Sequence, residues 1–122
     1  MLSAMTMQEP TFFILTALVG APAHGYGIMQ AVDELSRGRI TLKAGTLYAA
    51  LDRLTSDGLI VVDREEAVAG RLRRYYALSD DGRAALEAAV ERMRANARVA
   101  STRLRQAFGF GALGGGFVAR FS

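Results

Sequence analysis

The stretch Gly70–Leu78, GRLRRYYAL, constrains the fold more than any other part of this chain. Successive side chains of an extended strand point to opposite sides, so Leu72, Arg74, Tyr76 and Leu78 share one face while Arg71, Arg73 and Tyr75 share the other. One face suits a core and the other suits something anionic. Upstream lies an apolar run, Leu59-Ile60-Val61-Val62. Before that comes a segment that opens with small and hydrogen-bonding residues, Lys43-Ala44-Gly45-Thr46-Leu47-Tyr48. The expected order is therefore helix, apolar strand, short loop and basic strand.

Two further helices are expected ahead of this unit. Residues 8 to 19 carry Phe12, Phe13, Ile14, Leu15, Leu18 and Val19, a broad apolar face starting near Pro10, where proline is tolerated. Gly20-Ala21-Pro22 stops that helix. After His24-Gly25, the stripe Ile28, Val32 and Leu35, with Tyr26 and Met29 beside it, predicts a second helix that ends at Gly38. The third helix runs from about Ala44 to Ser56, with Leu47, Leu51 and Leu54 inward and Gly58 as its C-terminal cap. Its outward residues are Thr46, Tyr48, Ala49, Asp52 and Arg53, of which Thr46, Ala49 and Arg53 form one ridge. Strands are expected over about 59–65 and 71–78, joined by a loop Glu66-Ala67-Val68-Ala69-Gly70.

Ser79 is a natural N-cap, and Asp80 and Asp81 put negative charge where a helix dipole favours it. A long fourth helix follows. Its positions Leu86, Val90, Met93, Ala97, Ala100 and Leu104 alternate spacings of four and three, a heptad pattern that calls for a partner helix and so predicts a homodimer. From Gly109 to Gly116 five of eight residues are glycine, and a disordered tail is expected there. This divides the chain into a head (8–78), a dimerisation helix (79–108) and a glycine-rich tail (109–122).

Composition removes several functions. At 122 residues the chain makes one domain, burying roughly two-thirds of its unfolded surface. Without cysteine there are no disulfides, thiolate metal sites or thiol nucleophiles. The single histidine, His24, has no clustered ligands around it, and a structural role at a helix start is expected rather than a metal site. No nucleophile has a plausible base, no phosphate loop is present, and no enzyme or cofactor is expected. Neither a membrane span nor a signal peptide is visible, which points to a cytoplasmic protein. The net charge of +3 is unevenly placed: six arginines and no acid follow from Arg92 onward, which suits a polyanionic partner.

His24-Gly25-Tyr26-Gly27-Ile28, the run Ala44-Gly45-Thr46-Leu47-Tyr48-Ala49-Ala50-Leu51 with Arg53-Leu54, and Gly58-Leu59-Ile60 form a set of motifs in fixed order. It continues with Gly70-Arg71, Arg74-Tyr75-Tyr76, Leu78-Ser79 and Gly82. In this order and spacing, over about residues 10 to 95, the chain resembles the PadR family of transcriptional regulators, and its short branch with a single C-terminal helix. The resemblance implies a mostly α fold with a two-stranded wing: a winged helix-turn-helix plus a long C-terminal dimerisation helix. It implies a homodimer that binds double-stranded DNA, usually as a repressor. The glycine-rich tail departs from the family pattern.

Carried onto this sequence, the family's DNA contacts fall on the third helix and the wing. Lys43 and Thr46 lie where helix N-H groups can meet phosphate or base edges. For Tyr48 two roles stand open: a hydroxyl reaching the DNA backbone, or a ring supporting the first helix. Ala49 and Arg53 lie on the ridge, Arg53 either in a groove or paired with Asp52 or Asp57. Arg71 and Arg73 are assigned to phosphate or the minor groove. Arg74 either joins them or pairs with Glu65 or Asp63. A small hydrophobic or aromatic effector at the dimer interface, near Met93 and the first helix's aromatics, is the alternative reading; a winged-helix module for protein contact is another.

Overall fold

A computed structural model describes residues 7–109 and divides the chain into two compact units that meet between Ala89 and Val90. In the first unit, α1 (Glu9–Ala17) carries proline in its opening turn, and α2 (Gly25–Leu35) is capped by His24, whose Nδ1 accepts the Gly27 N-H at 3.1 Å. The structural role expected of His24 at a helix start is thus that of a cap. Helix α3 covers Ala44–Ser56. It ends in a paired motif: Gly58 N-H reaches the Thr55 carbonyl and Leu59 N-H the Leu54 carbonyl, with Gly58 at φ 78°. This closure satisfies two orphan carbonyls and needs a left-handed residue, which glycine supplies.

The sheet has three strands, not the two expected. Strand β1 is only Ala23–His24, β2 spans Ile60–Val68 and β3 spans Arg71–Leu78, all antiparallel in the order β1-β3-β2. Two residues show no alternation, so β1 is invisible in sequence; it forms because β3 offers an edge beside α2, pairing Ala23 with Tyr76 and His24 with Tyr75. Strand β2 also runs three residues past its expected end. The hairpin therefore closes on Ala69-Gly70 alone, at φ 52° and 75°, the tight turn whose twist matches its strands. A bulge at Asp63 shifts the register between Val62–Tyr76 and Arg64–Tyr75.

Ile14, Leu15, Ile28, Leu47, Leu51 and Ile60 are wholly buried, joined by Leu54, Tyr76 and Leu86. Three inward assignments fail. Val19 is exposed, because α1 ends at Ala17 and the chain has already turned away from the helix there. Leu35 is exposed, and the inward position belongs to its neighbour Ser36, whose Oγ accepts the Ile40 N-H at 3.0 Å and so shapes the turn to α3. Leu72 is also exposed, because no described residue covers the outer half of the hairpin on that face.

Helix α4 (Asp80–Phe108) starts in the first unit. Ser79 Oγ accepts the Gly82 N-H at 2.9 Å and donates to the Gly58 carbonyl at 2.6 Å. A Cβ at Gly82 would collide with the Leu59 carbonyl oxygen, so this close approach requires glycine. Leu86, expected in the dimer stripe, is instead core of its own unit, as is Ala89. The heptad positions described in the second unit are Val90, half-buried, and Met93, Ala97, Ala100 and Leu104, all exposed. Val99 and Phe108 are exposed there too, although the sequence stripe omits them. Apart from Gly109, the tail lies outside the described residues, and so does the expectation of disorder placed on it.

Candidate nucleic-acid interface

The buried stripe of α3, Leu47, Ala50, Leu51 and Leu54, fixes which side of the helix faces outward. Thr46, Tyr48, Ala49, Asp52 and Arg53 are all exposed, as the spacing requires. At the helix start Lys43 is extended (φ −84°, ψ 155°) and makes no side-chain cap, so the first backbone N-H groups are left without an intrahelical partner. These groups and the exposed Lys43 ammonium place positive potential at one end of the face.

The exposed residues divide between two grooves. Tyr48 and Asp52 line one of about 710 Å³ together with His24-Gly25-Tyr26 and the wing residues Arg71, Leu72, Arg73 and Arg74. Thr46, Ala49 and Arg53 line a second of about 550 Å³, facing Gln8 and Thr11 of α1. Arg53 takes neither of its expected carboxylate partners; a guanidinium nitrogen lies 3.5 Å from Thr11 Oγ1. The Tyr48 ring supports the start of α2, not α1: it lies where a side chain on Gly25 would have to go.

Within the hairpin, charge is sorted by cross-strand pairing. Glu65 faces Arg74 in register and accepts its Nε at 2.9 Å, the structural pairing that the sequence left open for Arg74. Arg64 bonds Glu66 at 3.0 Å and Asp63 at 3.3 Å, with its guanidinium carbon 3.9 Å from the centre of the Tyr75 ring. The hydrogen bond from Arg64 holds the Glu66 carboxyl below its ordinary range, and the bond to Glu65 raises Arg74 further above its own. Arg71 and Arg73 form no salt bridge among the described residues, so the wing presents two arginines whose charge is not matched by a bonded carboxylate. Sequence reasoning had not placed Tyr26, Leu72 or Asp52 in this groove. For Asp52 a signal existed in its position one turn beyond Tyr48.

No cluster of three or more metal-ligating side chains occurs among the described residues, and none of their helices is long and apolar enough to cross a membrane.

Residues 14–88 match the model of the transcriptional regulator PadR-like family. Among curated proteins, the chain is 46% identical over 63 residues to Transcriptional regulator Rv3488 of Mycobacterium tuberculosis, covering 52% of this chain and 55% of that one. The chain spans about half the length of the curated relatives it matches, 55% and 48% for the first two. A PadR family transcription regulator from Clostridium difficile superposes with a TM-score of 0.66 at 28% identity, over 80% of this chain and 99% of that one. Bacillus subtilis PadR in complex with operator DNA superposes with a TM-score of 0.60 at 25% identity, over 67% of this chain and 46% of that one. With the family model spanning more than half of its length, from within α1 into α4, the chain belongs to the PadR-like family of transcriptional regulators.

Proposed function

We propose that this protein binds double-stranded DNA sequence-specifically as a homodimer and represses transcription from an inverted-repeat operator. The observation that carries the reading is the groove in which the outward side of α3 meets Arg71 and Arg73 of the wing. A helix presented for a major groove, flanked by arginines without bonded carboxylates, matches the way winged helices divide base reading from phosphate contact. The likeness to Bacillus subtilis PadR, solved on operator DNA, supports it. In this reading Lys43 and the α3 N-H groups meet phosphate, Thr46, Tyr48, Ala49 and Arg53 meet the groove, and Arg71 and Arg73 meet the flanking backbone. Arg74, engaged by Glu65, shapes the wing.

The stripe Val90, Met93, Ala97, Ala100 and Leu104 supplies the two-fold contact. A two-fold dimer prefers half-sites roughly 34 to 36 Å apart or a multiple of that distance. Selection from random DNA should return such a palindrome, and recovery of no motif would remove the reading. Val90→Glu with Leu104→Glu places unpaired charge in the seam; light scattering should then show monomer or aggregate. A stable dimer of that variant would move the interface elsewhere.

A further inference from the structure

The α3 residues diametrically opposite the buried stripe are not the ridge Thr46, Ala49 and Arg53. With 3.6 residues per turn, the direction opposite Leu47, Ala50, Leu51 and Leu54 is occupied by Gly45, Ala49, Asp52 and Ser56, all exposed. Thr46 and Arg53 lie to the α1 side of that line, and Arg53 leans on Thr11. Three of the four outermost residues are small, so the helix can approach a groove floor closely at this line. Asp52 is its longest side chain and its only charged one. It lines the groove shared with Arg71, Arg73 and Arg74 but forms no salt bridge with them among the described residues.

Given the DNA-binding reading above, on which this inference rests, we infer that Asp52 is a specificity-determining residue that accepts a hydrogen bond from the N4 amino group of a cytosine in each half-site. A carboxylate has only acceptors to offer. On a surface meant for a polyanion it is repelled by every phosphate, and it gains only where a base edge presents a donor. In the major groove cytosine presents its amino group without an acceptor on the same base, whereas adenine sets N7 beside its N6 amino group. Guanine and thymine offer a carboxylate no donor there. Asp52 thus acts twice: it lowers affinity for DNA at large and rewards one base.

The test is selection from random DNA with the full chain as wild type, Asp52→Asn and Asp52→Ala, followed by competition between single operators. Wild type should enrich cytosine at one symmetric position per half-site, and changing that base should weaken its binding about tenfold or more. Asp52→Ala should lose the preference at that position alone, to within about twofold, while binding unrelated DNA more tightly at low salt. Asp52→Asn, nearly isosteric, should shift the preference toward adenine, which an amide can meet at both N6 and N7. Motifs identical in all three proteins would overturn the inference, leaving Asp52 as a repulsive surface charge. A wild-type protein that yields no motif would instead overturn the DNA-binding reading itself.

Discussion

Helix α3 and the β2–β3 hairpin face the same groove, yet they are held by opposite means. The helix is seated by a stripe of leucines at no more than 2% exposure, so its position is tied to the cooperative core. The hairpin is anchored by burial only at its base, through Ile60 and Tyr76. Beyond the Asp63 bulge it relies on its backbone ladder, the Glu65–Arg74 and Arg64–Glu66 pairs, and the stacking of Arg64 on Tyr75. Exposed pairs of this kind are worth little each. Displacing the helix would therefore disrupt the core, whereas displacing the outer hairpin would break only its ladder and its exposed pairs.

Leu51→Ala should cost about 2 to 5 kcal/mol of stability because the core can collapse only partly around the lost side chain. Urea unfolding measures it; a loss below about 1 kcal/mol would mean that burial does not seat α3. Next come Thr46→Ala and Arg53→Ala, expected to change preference at particular base pairs by about 1 to 3 kcal/mol if a good base contact is lost, with little effect on melting. Arg71→Ala and Arg73→Ala should weaken binding to all sequences alike and lower the salt slope by about one for each phosphate contact removed. Unchanged slopes would place those arginines off the backbone.

The smallest effect belongs to pH. Because Arg64 depresses the Glu66 carboxyl below its ordinary 4.5, the folded hairpin takes up that proton less readily than the unfolded chain. The contribution is complete above pH 4.5 and fades as pH falls through the lower folded value. Amide protection in the wing, taken relative to the intrinsic exchange rate at each pH, should therefore fall on acidification in wild type more than in Glu66→Gln, while protection in α3 follows global stability. Equal acid sensitivity of the two proteins would remove the pair from the account.

What could be read in the sequence follows the same division. Helix α3 was legible end to end, since its leucine spacing and terminal glycine are local signals that the core reinforces. The wing was legible as two strands but not in extent: Glu66-Ala67-Val68 shows no alternation of apolar and polar residues and becomes strand only when Arg73, Leu72 and Arg71 lie opposite. Strand β1 needed an edge made by Tyr75 and Tyr76, far along the chain. Leu86 fitted a heptad by spacing, but spacing does not state whether a helix face is covered by its own chain. At the groove, the exposure of Arg71 and Arg73 could be read from residue type, and both line it. The prominence of Asp52 required knowing the direction of burial, since a ridge chosen from three residues fixes a line on a helix but not which line is outermost.

The contact between the Tyr48 ring and the backbone at Gly25 has a consequence for how this protein can evolve. A methyl group at position 25 would meet the end of the Tyr48 side chain and require the ring to swing aside, although alanine is otherwise favoured over glycine in a helix by roughly 0.5 to 1 kcal/mol. The two positions are therefore coupled: a side chain at residue 25 either displaces the ring at residue 48 or needs a smaller residue there. A lineage that replaces Tyr48 by a smaller residue frees the first turn of α2 for substitution, and once that turn has filled, tyrosine can return only with its ring turned away from α2.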